Sequence, residues 1–380
     1  MPFDGGVTLS DTPNNFDWGK IQTLNDFLAE IESNSISVED VPDDTLSRVV
    51  SSVEIDTRKR IADPLFCFSF NGHKIMPRGN VLNITGRQKN GKSQLLNILC
   101  AIALKKSKRH QFGGTATVGC IEAISPVDSV LWIDTEQGQY DIQQNNIRLF
   151  ELMGLCTDPL QNPDLPNAAD YGLHILSLRD YPPEKRRMIA NAAIRLYDPD
   201  IVIIDGIRDL INDINDQTES LQVVTWAMGV AKERDCWCVI HQNPTGGDKI
   251  RGAIGTELMN KCGLTFQVKK ETGMFSISVP TDGCRQDAGD KPVMFRYGAG
   301  GLLYPVMLSD LLQRIYAEIP SGKAELSTLT GKIAKVSGLK DTFVFPDIIK
   351  PALDDGLLST YEGEKGKVFY NLNNDVDDDE

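Results

Sequence analysis

The sequence predicts an α/β protein: a mainly parallel sheet with helices on both faces, followed by a small helical module closed by a hairpin. Two observations predict the sheet. Between residues 61 and 305, short apolar runs alternate with helical stretches, a βαβα rhythm that gives parallel strands joined by helical crossovers. One of these runs, residues 81–85, passes through a glycine-rich turn into the helical stretch 94–104. The third observation concerns the C-terminal part. Amphipathic stretches at 308–319, 324–336 and 345–354 precede two strand-like runs, 357–360 and 367–371, around a turn.

Composition sets the limits. A chain of 380 residues accommodates one large domain and one or two small ones. With 41% hydrophobic and 24% charged residues it has the balance of a soluble protein. No apolar run is long enough to span a bilayer. Met1-Pro2-Phe3-Asp4-Gly5-Gly6 lacks the basic and apolar regions of a signal peptide. The eight cysteines are scattered, which points to the reducing cytoplasm. Cys236 and Cys238 form the one close pair; inside an apolar run they read as buried thiols rather than metal ligands. A net charge of −14 argues against a protein that coats nucleic acid with its whole surface, but leaves room for a local basic channel.

The elements follow in order. Residues 1–60 are polar and acidic and carry two helical stripes. One spans 21–32, with Leu24, Phe27, Leu28 and Ile31 at helical spacing, and the other 44–53. Neither helix can bury its stripe alone, so the segment packs on the core or reaches a neighbouring subunit. Residues 61–305 form the sheet domain. The basic run Lys105, Lys106, Lys108, Arg109 and His110 and a glycine-rich region follow its first helix. Strand-like runs lie at 129–134, 173–178, 200–205, 236–242 and 263–269, and helical patterns at 140–153, 183–197 and 218–234. Runs at 275–279 and 293–297 suggest an antiparallel edge. Residues 306–372, three helices and then a hairpin, have the order of a winged helix. Residues 373–380, with Asp375, Asp377, Asp378, Asp379 and Glu380, read as a solvated, disordered acidic tail.

The chemistry concentrates at the ends of the strand-like runs. Gly86-Arg87-Gln88-Lys89-Asn90-Gly91-Lys92-Ser93 fits the P-loop pattern G-x-x-x-x-G-K-[ST] at every fixed position, and Gln94 opens the helix. Strand, loop and helix in that order aim backbone N–H groups and a helix N-terminus at a triphosphate, so ATP is the expected ligand. Lys92 would reach the β- and γ-phosphates, and the Ser93 hydroxyl would hold Mg²⁺. Hydrolysis further needs an acid for the metal, a group that orients water and a charge on the departing phosphate. The run 199–205 ends in Asp205, placed to hold Mg²⁺, with the cap of a following helix as the bland alternative. The run 130–136 ends in Asp134-Thr135-Glu136, where Glu136 is the better candidate base and Asp134 could share the work. A third run ends in His241-Gln242; Gln242 can donate to the γ-phosphate and report its loss, and His241 could do the same. Arg251, in the loop segment Lys249-Ile250-Arg251-Gly252, could contact DNA or the nucleotide of a neighbouring subunit, and Arg285 is a second candidate.

In this order, GRQKNGKS, LWIDTEQ, IVIIDGIRD and CWCVIHQN resemble the RecA-type P-loop ATPases over about residues 75–300. The chain is most similar to the RepA-like hexameric ATPases, which are related to DnaB-type helicases. His241-Gln242 stands where these carry H-H or S-Q, and Arg251-Gly252-Ala253-Ile254-Gly255 resembles the segment that follows. The resemblance implies a RecA-like core, a ring of usually six subunits with ATP at their interfaces, and a finger residue from the neighbour. Arg285 lies where DnaB-like members carry theirs, but the family's K-x-R stands here as Asp282-Gly283-Cys284-Arg285, without the lysine. It also implies a DNA-associated motor or helicase, with single-stranded DNA in the central channel, and points to a plasmid, phage or other mobile element.

A nucleotide-switched assembly protein that recruits partners without unwinding DNA is the alternative. The acidic balance favours it, and so does the stretch 345–355, where Asp347, Asp354 and Asp355 stand against Lys350. A helix of net negative charge is poorly suited to a polyanion, because phosphate contacts provide most of the affinity in such complexes. The C-terminal module is therefore expected to bind a protein partner, with Lys365 and Lys367 leaving a weak backbone contact to DNA open.

Overall fold

The computed structural model describes all residues except 1–15, 22, 35, 61, 113–114, 156–166, 233, 242–249, 272–273, 281–291, 298–302, 307, 338–340, 364–365 and 374–380. The chain divides into two compact units, residues 1–63 and 64–380.

The first unit holds α1 (Leu24–Asn34) and α2 (Asp43–Val53). A reciprocal cap starts α1: Thr23 Oγ1 accepts the Asp26 N–H at 3.1 Å, and the Asp26 carboxylate accepts the Thr23 N–H at 2.9 Å. The two stripes meet in a small core of Ile21, Phe27, Ile36, Val41 and Val49. Leu28, one member of the expected stripe, stays exposed.

The second unit begins with a hairpin, β1 (Phe66–Phe70) and β2 (His73–Pro77). Its turn residues Asn71 and Gly72 both have positive φ, 51° and 81°, the backbone that matches the twist of a two-residue hairpin. Then come β3 (Val81–Gly86), α3 (Lys92–Leu104), β4 (Thr117–Val118), β5 (Ile121–Ala123), β6 (Val130–Asp134), α4 (Gln139–Leu152), β7 (Leu173–Ser177), α5 (Pro183–Tyr197), β8 (Ile201–Asp205), α6 (Gln217–Ala231), β9 (Asp235–His241), α7 (Gly252–Lys261) and β10 (Leu264–Glu271). Three antiparallel strands extend the edge: β11 (Met274–Ser278), β12 (Val293–Tyr297) and β13 (Leu303–Pro305).

The main sheet has nine strands in the order β13-β12-β11-β10-β3-β9-β8-β6-β7. Pairing is parallel from β10 to β7 and antiparallel from β10 to β13. The central parallel strands β3, β6, β8 and β9 are buried on both faces, as crossover helices require, while the edge strand β7 is half-buried. Alternate residues of β3, β6, β8 and β9 divide the core. Leu82, Ile84, Val130, Trp132, Ile201, Ile203 and Trp237 pack with α3 and α4. Val81, Leu131, Ile133, Val202, Ile204, Cys236 and Cys238 pack with α5, α6 and α7. The small sheet β2-β1-β5-β4 adds to the first face, with Phe68 5.4 Å from the Trp237 ring. Cys236 and Cys238 lie on one side of β9, fully buried, their sulfurs 3.9 Å apart.

The C-terminal part contains α8 (Leu308–Ala317), β14 (Lys323–Glu325), α9 (Leu326–Ser337), α10 (Asp341–Val344), a π-turn (Phe345–Ile349), α11 (Lys350–Asp354), β15 (Leu358–Glu362) and β16 (Val368–Leu372). Its strands pair antiparallel in the order β14-β16-β15. The strand β14, absent from the sequence reading, fills the gap between the first two helices. The third expected helix is built from α10, the π-turn and α11. The acidic tail lies outside the described residues, apart from Asn373.

Candidate functional site

Every parallel strand points its C-terminal end at the same edge of the sheet, and the candidate residues gather there. Register places Gly86 opposite His241, and Asp134 opposite Asp205. Edges where strands end and helices begin are where open α/β sheets bind ligands.

The P-loop runs from β3 into α3. Lys89 and Gly91 take positive φ, 63° and 90°, and Gly91 caps the helix. This curl leaves the backbone N–H groups of Gly91, Lys92 and Ser93 without a protein acceptor among the described residues, the donors that a helix start offers to an anion. Arg87, Gln88 and Lys89 are exposed, and Asn90, Ser93 and Gln94 half-buried. Lys92 is buried, and its ammonium donates to Gly86 O at 3.3 Å and Arg87 O at 3.1 Å. The third contact is His241 Nδ1 at 2.7 Å. An ammonium has three donors and no acceptor, so all three protons are placed and His241 accepts at Nδ1. The opposite ring nitrogen, Nε2, then carries the proton and donates to Glu136 Oε2 at 3.1 Å. Lys92, His241 and Glu136 thus form one continuous bridge across the mouth of the site.

Beside the bridge lie the acids. Ser93 Oγ donates to Asp205 Oδ2 at 3.3 Å. Gln137 Nε2 reaches the same oxygen at 3.5 Å. Asp205 is buried, and desolvation, with the Asp134 and Glu136 charges beside it, pushes its carboxyl up to about 8. Burial also lowers Lys92 to about 8, against the pull of Glu136 and Asp205. Burial raises Glu136, but its His241 hydrogen bond and the Lys92 and Arg208 charges outweigh that, and the carboxyl sits below its ordinary value. It is therefore ionised and able to accept a proton.

Asp134 has a different task. Its Oδ1 accepts the backbone N–H of Glu136 at 3.0 Å and of Gln137 at 2.7 Å, and Oδ2 accepts Gln137 Nε2 at 2.7 Å. Burial raises its carboxyl. These bonds fold the turn that carries Glu136, so Asp134 shapes the position of Glu136. Thr135 fastens the turn to the next strand, donating to the carbonyls of Asp205 and Gly206, each at 2.9 Å. Gly206 has φ 101°, and a Cβ there would meet Thr135 Oγ1 at 2.3 Å, so glycine is required at this crossing. His241, Gln137, Thr135 and Gly206 are positions of the candidate site that the sequence undervalued or left unmarked. Only His241 carried a signal, as a polar residue ending an apolar strand.

Arg251 is exposed and caps α7, its backbone N–H donating to His241 O at 3.2 Å. Gln242, Arg285 and Lys249 lie outside the described residues.

The donor set fits Mg²⁺ with a nucleotide. Among the described residues no three His, Cys, Asp or Glu side chains converge on a common metal position. Ser93 and Asp205 offer two hard oxygens, enough for an ion that usually keeps several waters and takes the rest of its shell from phosphate. No protein-family model matches the chain, and no curated protein matches it.

Proposed function

We propose that the chain is an oligomeric RecA-type P-loop ATPase, with a winged helix as its C-terminal module. The observation that carries this reading is the convergence of Lys92, Ser93, Asp205 and the His241–Glu136 pair on one strand edge. In this reading the open amides at the start of α3 bind the phosphates. Lys92 moves from the loop carbonyls to phosphate oxygens, Ser93 and Asp205 hold Mg²⁺, and ionised Glu136 orients and deprotonates the attacking water. Bound Mg²⁺ supplies charge neutralisation for the phosphates. As Lys92 moves, it leaves His241 Nδ1, so the bridge links nucleotide entry to the base. In this reading Arg251 or Arg285 of a neighbouring subunit would supply the charge on the departing phosphate. The ring implied by the resemblance, six subunits with single-stranded DNA in the channel, belongs to this proposal, as does a DNA motor or helicase role.

The second reading is a nucleotide-driven switch that binds protein partners. It is favoured by the third helical stretch of the module, where Asp354 and Asp355 are exposed on the same short segment as Lys350.

Phosphate release tests the enzyme. Glu136→Gln should lower turnover by about 10²–10³-fold while retaining ATP, the loss typical of a missing general base. Lys92→Ala should lose both hydrolysis and affinity. Normal turnover in Glu136→Gln would remove Glu136 as the base. Measuring the rate with and without single-stranded DNA, alongside particle mass, separates the readings. Strong stimulation supports the motor, and a stable assembly without response supports the switch.

A further inference from the structure

The P-loop rests on the antiparallel extension of the sheet. A Cβ on Gly91 would lie 2.9 Å from the Phe275 ring, so the ring fills the space that glycine leaves. Asn90 Nδ2 donates to Val268 O at 3.4 Å, and a Cβ on Gly86 would meet that carbonyl at 2.5 Å. Lys270 Nζ lies 5.2 Å from the centre of the same Phe275 ring. The loop is thus held by β10 and β11 at three points.

Strand β11 has two loyalties. Phe275 and Ile277 join the core beneath the P-loop, together with Val293 and Phe295 of β12. Met274 and Met294 join the core of the C-terminal part, with Leu311, Leu312 and Leu329. Successive side chains of a strand face opposite sides, so residues 274 and 275 stand back to back, 2% and 0% exposed. The Val306 N–H, donating to Met294 O at 2.8 Å, ties the chain leading into α8 to the same edge.

We infer that β11 couples the C-terminal module to the P-loop, with Phe275 as the positioning residue for the loop and Met274 as the contact with the module. The functional consequence rests on the nucleotide reading of the site. A close-packed interior transmits displacement. A shift of α8 or α9 therefore moves Met274, and with it the backbone that sets the Phe275 ring against Gly91. The Phe275 ring occupies the place a Cβ on Gly91 would take, so the ring and the loop backbone are in direct contact. A partner that engages the module thereby alters how the loop holds phosphate, and nucleotide alters the module in return, since such coupling is reciprocal.

Hydrogen exchange on the full chain without nucleotide tests the coupling. The useful peptide spans residues 86–96, where the Asn90 N–H donates to Arg87 O and the Leu95 N–H to Gly91 O. Met274→Ala removes contacts from the C-terminal core alone. It is expected to speed exchange at 86–96 by about tenfold, with β6 and β8 unchanged, the scale of a buried methionine truncation felt locally. Phe275→Leu should do at least as much. If Met274→Ala does not fold, Met274→Val makes the same comparison with a smaller loss. Unchanged exchange at 86–96, or a uniform rise that includes β6 and β8, overturns the coupling. The readout needs no ATP. Coupled exchange in a chain that fails to bind ATP would remove the nucleotide reading and keep the coupling; ATP binding with uncoupled exchange would do the reverse.

Discussion

At the two ends of the parallel strands carboxylates meet different surroundings, and Asp205 at the C-terminal end stands apart from Asp128, Asp200 and Asp235 at the N-terminal end. At the N-terminal edge each acid has strong donors. Asp128 Oδ1 accepts Ser107 Oγ and the Lys108 N–H, both at 2.7 Å. Asp200 Oδ2 accepts the Asp128 N–H at 2.7 Å and the Ser129 N–H at 3.1 Å. Asp235 accepts the Gly79 N–H at 3.0 Å and pairs with Arg78 at 3.1 Å. At the C-terminal edge, Asp205 has only the Ser93 hydroxyl at 3.3 Å and Gln137 at 3.5 Å, with two further carboxylates nearby. Burial pushes Asp235 up to about 6, against the pull of Arg78, and Asp205 to about 8. Asp128 and Asp200 are held by backbone N–H groups, and Asp235 Oδ2 by the Arg78 ion pair. An acid left buried, short of donors and beside like charges is a candidate functional group.

Removing one acid from each edge sharpens the contrast. Asp235→Ala leaves the Arg78 guanidinium and the Gly79 N–H without their partner, and should cost about 3 kcal/mol of stability. Urea unfolding measures it, and ATP affinity should not change. A loss under about 0.5 kcal/mol would break the comparison at its structural end.

Asp205→Asn should act in the other direction, raising stability by about 2 kcal/mol at pH 7, as relief of a strained site does. The sign follows from linkage. The folded carboxyl lies at about 8, above its ordinary 3.8, so its contribution is present at low pH and lost as pH rises through about 8. The Asn variant should lack that part of the pH dependence between 4 and 8. A variant less stable than the wild type at pH 8 would place Asp205 among the structural acids.

The same contrast explains what the sequence made legible. The parallel core could be read because β6, β8 and β9 are nearly continuous apolar runs ending in a polar residue, and the P-loop because its spacing is rigid. Asp205 and Glu136 followed from their places at strand ends. The β1–β2 hairpin was missed although Asn71-Gly72 marks its turn, because β2 opens on exposed His73 and Lys74 and ends in Pro77, which hides its apolar pair Ile75-Met76. Helix α7 was missed because Gly252 and Gly255 disguise it as loop; Gly255 is there because a Cβ would meet Ile250 Cγ2 at 2.3 Å. The joint role of His241 could not be read at all, since it depends on β9 lying beside β3 in the sheet, with α3 bringing Lys92 within 2.7 Å. Nor could the divided packing of Met274 and Phe275, which needs the C-terminal part folded against the edge.

On the proposed function, the C-terminal edge of the sheet takes a metal-bound triphosphate. Titration calorimetry of ATP with Mg²⁺ at pH 7, in buffers of different ionisation heat, tests it most directly. Asp205, protonated in the free protein at that pH, must lose its proton to take the metal. Binding should release about one proton per site, because metal ligation requires the carboxylate. That release should vanish in Asp205→Asn. The absence of binding at millimolar ATP, or binding with the same proton release in the variant, would contradict it.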